Sequence, residues 1–134
     1  NRPVICLTLR HDRIDNFLFV MLHELAHISR NLGKEASSFY DDLDVGDQGD
    51  DREKEADHLA GEALIPEAEW RKSPAQSLRT PDAVQHLASR LRIHPAIVAG
   101  RIRHHHKSFR VLNQLVGHGQ VRRLFPEVYW PSSN

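Results

Sequence analysis

Disulfide-forming cysteine, membrane-length apolar runs and a net charge of either sign are missing from this chain, and each absence closes a class of function. A single cysteine, Cys6, excludes an intrachain disulfide framework and fits a reducing cytosol. The longest apolar run, Phe17 to Leu22, is far too short to span a bilayer, so no membrane partner is expected. Lys and Arg total 18 and Asp and Glu total 18, giving a formal net charge of zero, so nothing in the total favours nucleic acid or a membrane surface. No internal repeat is visible. Asn1-Arg2-Pro3 lacks the charged-then-apolar pattern of a signal peptide and carries no initiator Met. The expectation is a cytoplasmic fragment of a longer protein. With 134 residues, 40% apolar and 27% charged, the chain suits one soluble domain with one core.

Histidine is abundant, with ten residues, three of them in the run His104-His105-His106 far from either terminus. Val4 to Leu9 is a short β-rich run and reads as one strand, in which Cys6 is a small buried hydrophobe. Asp15 is a plausible N-cap, and from Asn16 the residues Phe17, Val20, Met21, Leu25, Ile28 and Leu32 recur at helical spacing until Gly33. Residues 34 to 51 read as an acidic, flexible loop. A second helix is expected from about Arg52 to Leu64, then a short one with Pro66 at N1 reaching Trp70. Ser73 to Leu78 reads as a linker. Thr80-Pro81 starts a helix with Val84, Leu87, Ala88 and Leu91 inward, and His94-Pro95 starts another with Ile97, Val98 and Ile102. Ser108 is expected to cap a further helix through Leu115, Gly117-His118-Gly119 a turn, and Val121 to Phe125 a last helical piece. The reading is mostly helical with one visible strand, so the fold class is α+β, a mostly helical domain with a small sheet, given a sheet partner upstream. Residues 1–72 hold the strand, the first helix, the acidic loop and the second helix; residues 73–134 form the C-terminal helical part of the same domain.

His23-Glu24-Leu25-Ala26-His27 is an HExxH motif on the first, central helix. Residues i and i+4 leave one helix face together, so both imidazoles can reach one metal ion. Glu24 lies beside them, where its carboxylate can take a proton from water. Zinc suits neutral imidazole and carboxylate ligands with one position left open. The apolar residues around the motif predict a helix buried along much of its circumference. In the second helix Glu53 and Asp57 stand at i and i+4, so one can complete the coordination while the other accepts a histidine's remaining N–H. Glu55 projects about 200° around the helix from Glu53, so only one of the two faces the metal comfortably. Glu53 is the preferred third ligand, because its pairing with Asp57 supplies ligand and supporting acceptor together. The competing reading of these acids is a solvated first helical turn.

His23 to His27, then Glu53-Lys54-Glu55-Ala56-Asp57-His58-Leu59-Ala60, then Ala63-Leu64-Ile65-Pro66, together resemble the ImmA/IrrE metallopeptidase family over about residues 4 to 70. Leu59 stands where that family prefers Phe. The resemblance implies a zincin-like fold of gluzincin type, with Glu53 as third zinc ligand. It implies a zinc-dependent endopeptidase cleaving a repressor or antitoxin-like protein in bacterial gene regulation or stress response. Relatives fused to an N-terminal helix-turn-helix domain, as in HigA-like antitoxins, suggest DNA contact only through a domain preceding Asn1. The alternative is a non-proteolytic sensor or oligomerisation module of a transcriptional regulator or antitoxin.

Other patterns are weaker. Asp42 to Glu53 is a near miss to a calcium-binding EF-hand loop, spoiled by Asp47 where the sharp turn requires Gly. Ala88 to Ile102, with Arg90, Arg92, Arg101, Arg103 and Lys107 nearby, vaguely resembles a helix-turn-helix, though paired core helices with solvated arginines give the same pattern. One of His104 to His106, or more weakly His11 or Tyr40, could supply a transition-state donor.

Overall fold

The computed structural model describes residues 2–31, 46–129 and 131. Five α-helices carry the fold: α1 (Ile14–Asn31), α2 (Gly46–Leu64), α3 (Glu67–Arg71), α4 (Pro81–Leu91) and α5 (Pro95–His105). Short 3-10 turns at Pro74–Gln76, Asn113–Leu115 and Arg122–Leu124 complete the described elements. None of the described helices is long and apolar enough to cross a membrane.

The expected small sheet is not there: no described residue lies in a strand, and the architecture is helical. Val4 to Leu9 does keep a two-residue alternation, with Ile5, Leu7 and Leu9 half-buried and Val4, Cys6 and Thr8 exposed. Among the described residues no neighbouring segment completes a ladder with it, and a strand without one is not a stable element. Cys6 is accordingly exposed rather than buried.

The segment before α1 is fixed by the C-terminal region instead. Asp12 Oδ1 accepts the backbone N–H groups of Val121 and Arg122 at 3.0 and 2.8 Å. The Arg122 side chain in turn donates to the carbonyls of Leu9 and Arg10. Ile14 N–H, which the helix itself cannot satisfy, donates to the Val116 carbonyl. Gly117 sits at φ +77°, and a Cβ there would lie 2.7 Å from Ile14, so this close approach needs glycine twice over. Asp15 lies inside the first turn of α1 rather than at its N-cap, gripped by Arg13 through two hydrogen bonds of 3.0 and 2.9 Å.

α2 starts six residues before the Arg52 expected from the sequence. Of the stretch read as an acidic loop, residues 34–45 lie outside the described residues, as does Gly33. The remainder, residues 46–51, is helical. Acidic residues suit a helix start, where the dipole is positive, and Asp50 pairs one turn on with Lys54. The same helix rules out the EF-hand reading, since the second half of that loop is helical from Gly46; Asp42 and Asp44 are not among the described residues.

The core lies between α3, α4, α5 and the chain after α5. Trp70, Val84, Leu87, Val98, Ile102 and Val116 are all at most 1% exposed. α4 opens as its residues dictate: Thr80 Oγ1 accepts from Ala83 N–H and Pro81 holds the first turn. α5 is capped by His94, whose Nδ1 accepts from Ala96 N–H at 3.0 Å. The Ser73 to Leu78 linker is in fact part of this core: it folds as a 3-10 turn capped by Ser73, and Ala75 is fully buried. Instead of a helix from Ser108 to Leu115, the chain bends and forms only the turn at Asn113–Leu115, with Leu112 at φ +54°, a left-handed conformation that a continuing helix does not tolerate. Pro66 is the N-cap of α3 rather than its first residue.

Candidate metal centre

α1 and α2 lie against each other, and the buried residues of the pair are alanines: Ala26 on α1, Ala56 and Ala60 on α2. Small side chains let two helix backbones approach, so that longer side chains flanking the seam meet. α1 is otherwise only half-buried, and Leu25 is 42% exposed, so the expected burial around most of its circumference does not occur.

Flanking this seam, His23 Nε2 lies 3.1 Å from Glu53 Oε2, and His27 Nε2 lies 3.1 Å from Glu53 Oε1. The two imidazole Nε2 atoms are 3.0 Å apart. One ligand-type atom from each of the three residues falls within 4.8 Å of the others. Around a tetrahedral zinc ion with bonds of about 2.0–2.1 Å, ligand atoms lie roughly 3.3 Å apart. The observed triangle would need to open by only a few tenths of an ångström. Its donor set of two imidazoles and one carboxylate also matches zinc's preferences.

The other edge of His23 is held as well: Nδ1 lies 2.8 Å from Asp57 Oδ1. With Nδ1–H donating to that carboxylate, the lone pair of Nε2 faces His27 and Glu53. Phe19 packs against the His23 ring with centroids 6.4 Å apart. It stands one helical turn before His23, a spacing that could have flagged it as a support. Glu55 turns away from the cluster and pairs with Arg30 of α1. Glu24 is half-buried on α1 beside His23. The histidine side chains are 15% and 24% exposed and those of Glu53 and Asp57 61% and 58%, so the acids form the open side.

His11 is exposed and precedes α1, separated from His23 by more than two helical turns. Tyr40 is outside the described residues. His105 packs edge-on against Trp70, and His106 Nε2 donates to the Gln76 carbonyl at 3.1 Å. His104 alone of the three lines the cavity that Asp57 also lines. Of the basic stretch around α4 and α5, Arg90 pairs with Glu69, Arg101 with Glu67 and Arg103 is buried, while Arg92 and Lys107 are exposed.

A two-helix frame carrying an HExxH pair and a glutamate from the following helix is an arrangement of metallopeptidase type. Residues 1–103 match the family model described as IrrE N-terminal-like domain, Peptidase_M78. The chain belongs to this metallopeptidase family, as its sequence motifs lead one to expect. Comparison with curated proteins and with solved structures gave no match.

Proposed function

We propose that this domain is a zinc-dependent endopeptidase acting in the cytoplasm on a repressor or antitoxin-like protein. In this reading His23, His27 and Glu53 hold the metal, Glu24 is the general base and Asp57 orients His23. The observation that carries the reading is the meeting of His23, His27 and Glu53 across the α1–α2 seam in a chain of a metallopeptidase family. Zinc bound there would bring the pKa of a water molecule toward neutrality and polarise a carbonyl. Asp57 accepts a hydrogen bond from the Nδ1–H of His23 and thereby keeps the Nε2 lone pair available as a ligand. Glu24 takes a proton from the attacking water and returns it to the leaving amine.

The experiment is to incubate zinc-loaded parent and Glu24→Gln proteins with a panel of repressor- and antitoxin-like proteins. Glu24→Gln is expected to keep its zinc and lose cleavage; cleavage at the parent rate would sink the assignment of the base. A second reading is a non-proteolytic metal sensor or oligomerisation module of a regulator, with DNA contact only through a domain preceding Asn1. Its support is the open side of the cluster, since ligands as exposed as Glu53 suit an exchangeable metal. A zinc affinity tight enough to resist cellular exchange would count against it.

A further inference from the structure

Beside the metal cluster, a cavity of about 300 Å³ opens between the start of α1, the second half of α2, and α5. Its size is at the small end of ligand pockets. Arg13, Arg101 and Arg103 line it, together with apolar side chains such as Phe19, Leu64 and Ile97. The cations are not equally satisfied. Arg13 is matched by Asp15 through two hydrogen bonds, and Arg101 Nη2 donates to Glu67 at 2.7 Å. Arg103 is 4% exposed, its Nη2 donates to the neutral Phe109 carbonyl, and its Nε and Nη1 are buried with no hydrogen-bond partner among the described residues. Arg101 Nε is in the same condition.

A guanidinium does not shed its proton in proteins, so a buried one must find an opposite charge or carry the cost of desolvation. Burial, and then the nearby Arg13, hold Arg103 below the ordinary arginine value, with Asp15 opposing. Asp15 and Asp57 line the cavity as well, so what sets Arg103 apart is not a surplus of charge but that its hydrogen bond goes to a neutral carbonyl and not to a carboxylate, at the wall of an otherwise largely apolar chamber.

We infer that this cavity binds a small amphipathic anion, an apolar body carrying one carboxylate or phosphate group, with Arg103 as the principal charge partner and Arg101 Nε as a second donor. Charge-assisted hydrogen bonds from guanidinium to either oxyanion are the strong kind, and Phe19, Leu64 and Ile97 supply contact for the body. The inference is independent of the peptidase reading, because neither arginine belongs to the His23–His27–Glu53 cluster. Asp57 does line the same cavity, so an occupant would sit next to the carboxylate that holds His23.

The test is calorimetric titration of the full zinc-loaded chain at constant ionic strength with benzoate, phenyl phosphate and benzamide, the last a neutral mimic of benzoate. Saturable binding of at least one anion, about tenfold or more above benzamide, is expected, and the preferred anion tells carboxylate from phosphate. Arg103→Met should lose that binding, Arg103→Lys should weaken it, and Arg79→Met, an exposed control, should leave it unchanged. The Nε–H resonance of Arg103 should shift on titration. If Arg103→Met does not fold, Arg103→Lys and the resonance still decide. Equal binding of benzamide, no saturable binding of either anion, or undiminished binding by the Arg103 variants would overturn the proposal.

Discussion

Among the described residues the α1–α2 pair buries only three alanines, Ala26, Ala56 and Ala60, whereas the region of α3 to α5 buries Trp70, Leu87, Val98 and Ile102 almost completely. Small residues bring two backbones close and let His23, His27, Glu53 and Asp57 converge beside the seam. Large interlocked residues remove apolar surface from water, and that supplies most of the folding free energy. The chain thus separates the part that holds the proposed metal site from the part that carries stability, joined where the start of α1 meets α5. Changes on the two sides should fail in different ways.

The largest loss is expected in the core. Trp70→Ala should cost about 3–5 kcal/mol in urea unfolding, enough to unfold a marginal domain. A loss below about 1 kcal/mol would mean that stability is not concentrated there. At the joint, Gly100→Ala places a Cβ 2.7 Å from Asp15 Cβ, so α1 and α5 must part. The expected cost is about 1–3 kcal/mol, read as a lower thermal midpoint. On the chemical side, Asp57→Ala should weaken zinc binding by about 10–100-fold in competition with a chelating dye. The same change should leave urea unfolding of the metal-free protein within about 0.5 kcal/mol, since Asp57 is exposed.

The smallest effect concerns acid. A hydrogen bond from Arg71 holds the Glu67 carboxyl below its ordinary value of 4.5; burial opposes this, and the charge of Arg101 adds to it. A lowered folded value means that Glu67 contributes stability above the ordinary carboxylate pKa, and that this is lost as pH falls through the lowered one. Parent and Glu67→Gln should therefore differ slightly in thermal midpoint at neutral pH and converge in acid. A gap that widened in acid would contradict the sign. Since the Glu67 side chain is 39% exposed, solvent screening keeps the effect small.

Legibility in the sequence divides along related lines. Helix starts with a strong local signal, Thr80-Pro81 and His94-Pro95, are where their residues place them, as is the inward face of α4. The convergence of His23 with His27 follows from four-residue spacing on one helix, and the shared face of Glu53 and Asp57 follows likewise. What depends on partners was not legible. Val4 to Leu9 has the alternation of a strand but no neighbour to pair with among the described residues. Residues 46–51 look like loop because Gly and Asp discourage helix, yet they extend α2. Ala75 sits in a stretch that reads as linker and is fully buried, a result of tertiary packing alone. Arg103 reads as a solvated arginine, and only the structure reveals its burial beside a cavity.

The most direct test of the central claim is metal content by plasma mass spectrometry on untagged protein, for the parent, His23→Ala and Glu53→Ala. The three-ligand site predicts about one zinc per chain in the parent and its loss from both variants. A parent that takes up no zinc even when it is added back, or a Glu53→Ala protein that retains a full equivalent, would contradict it.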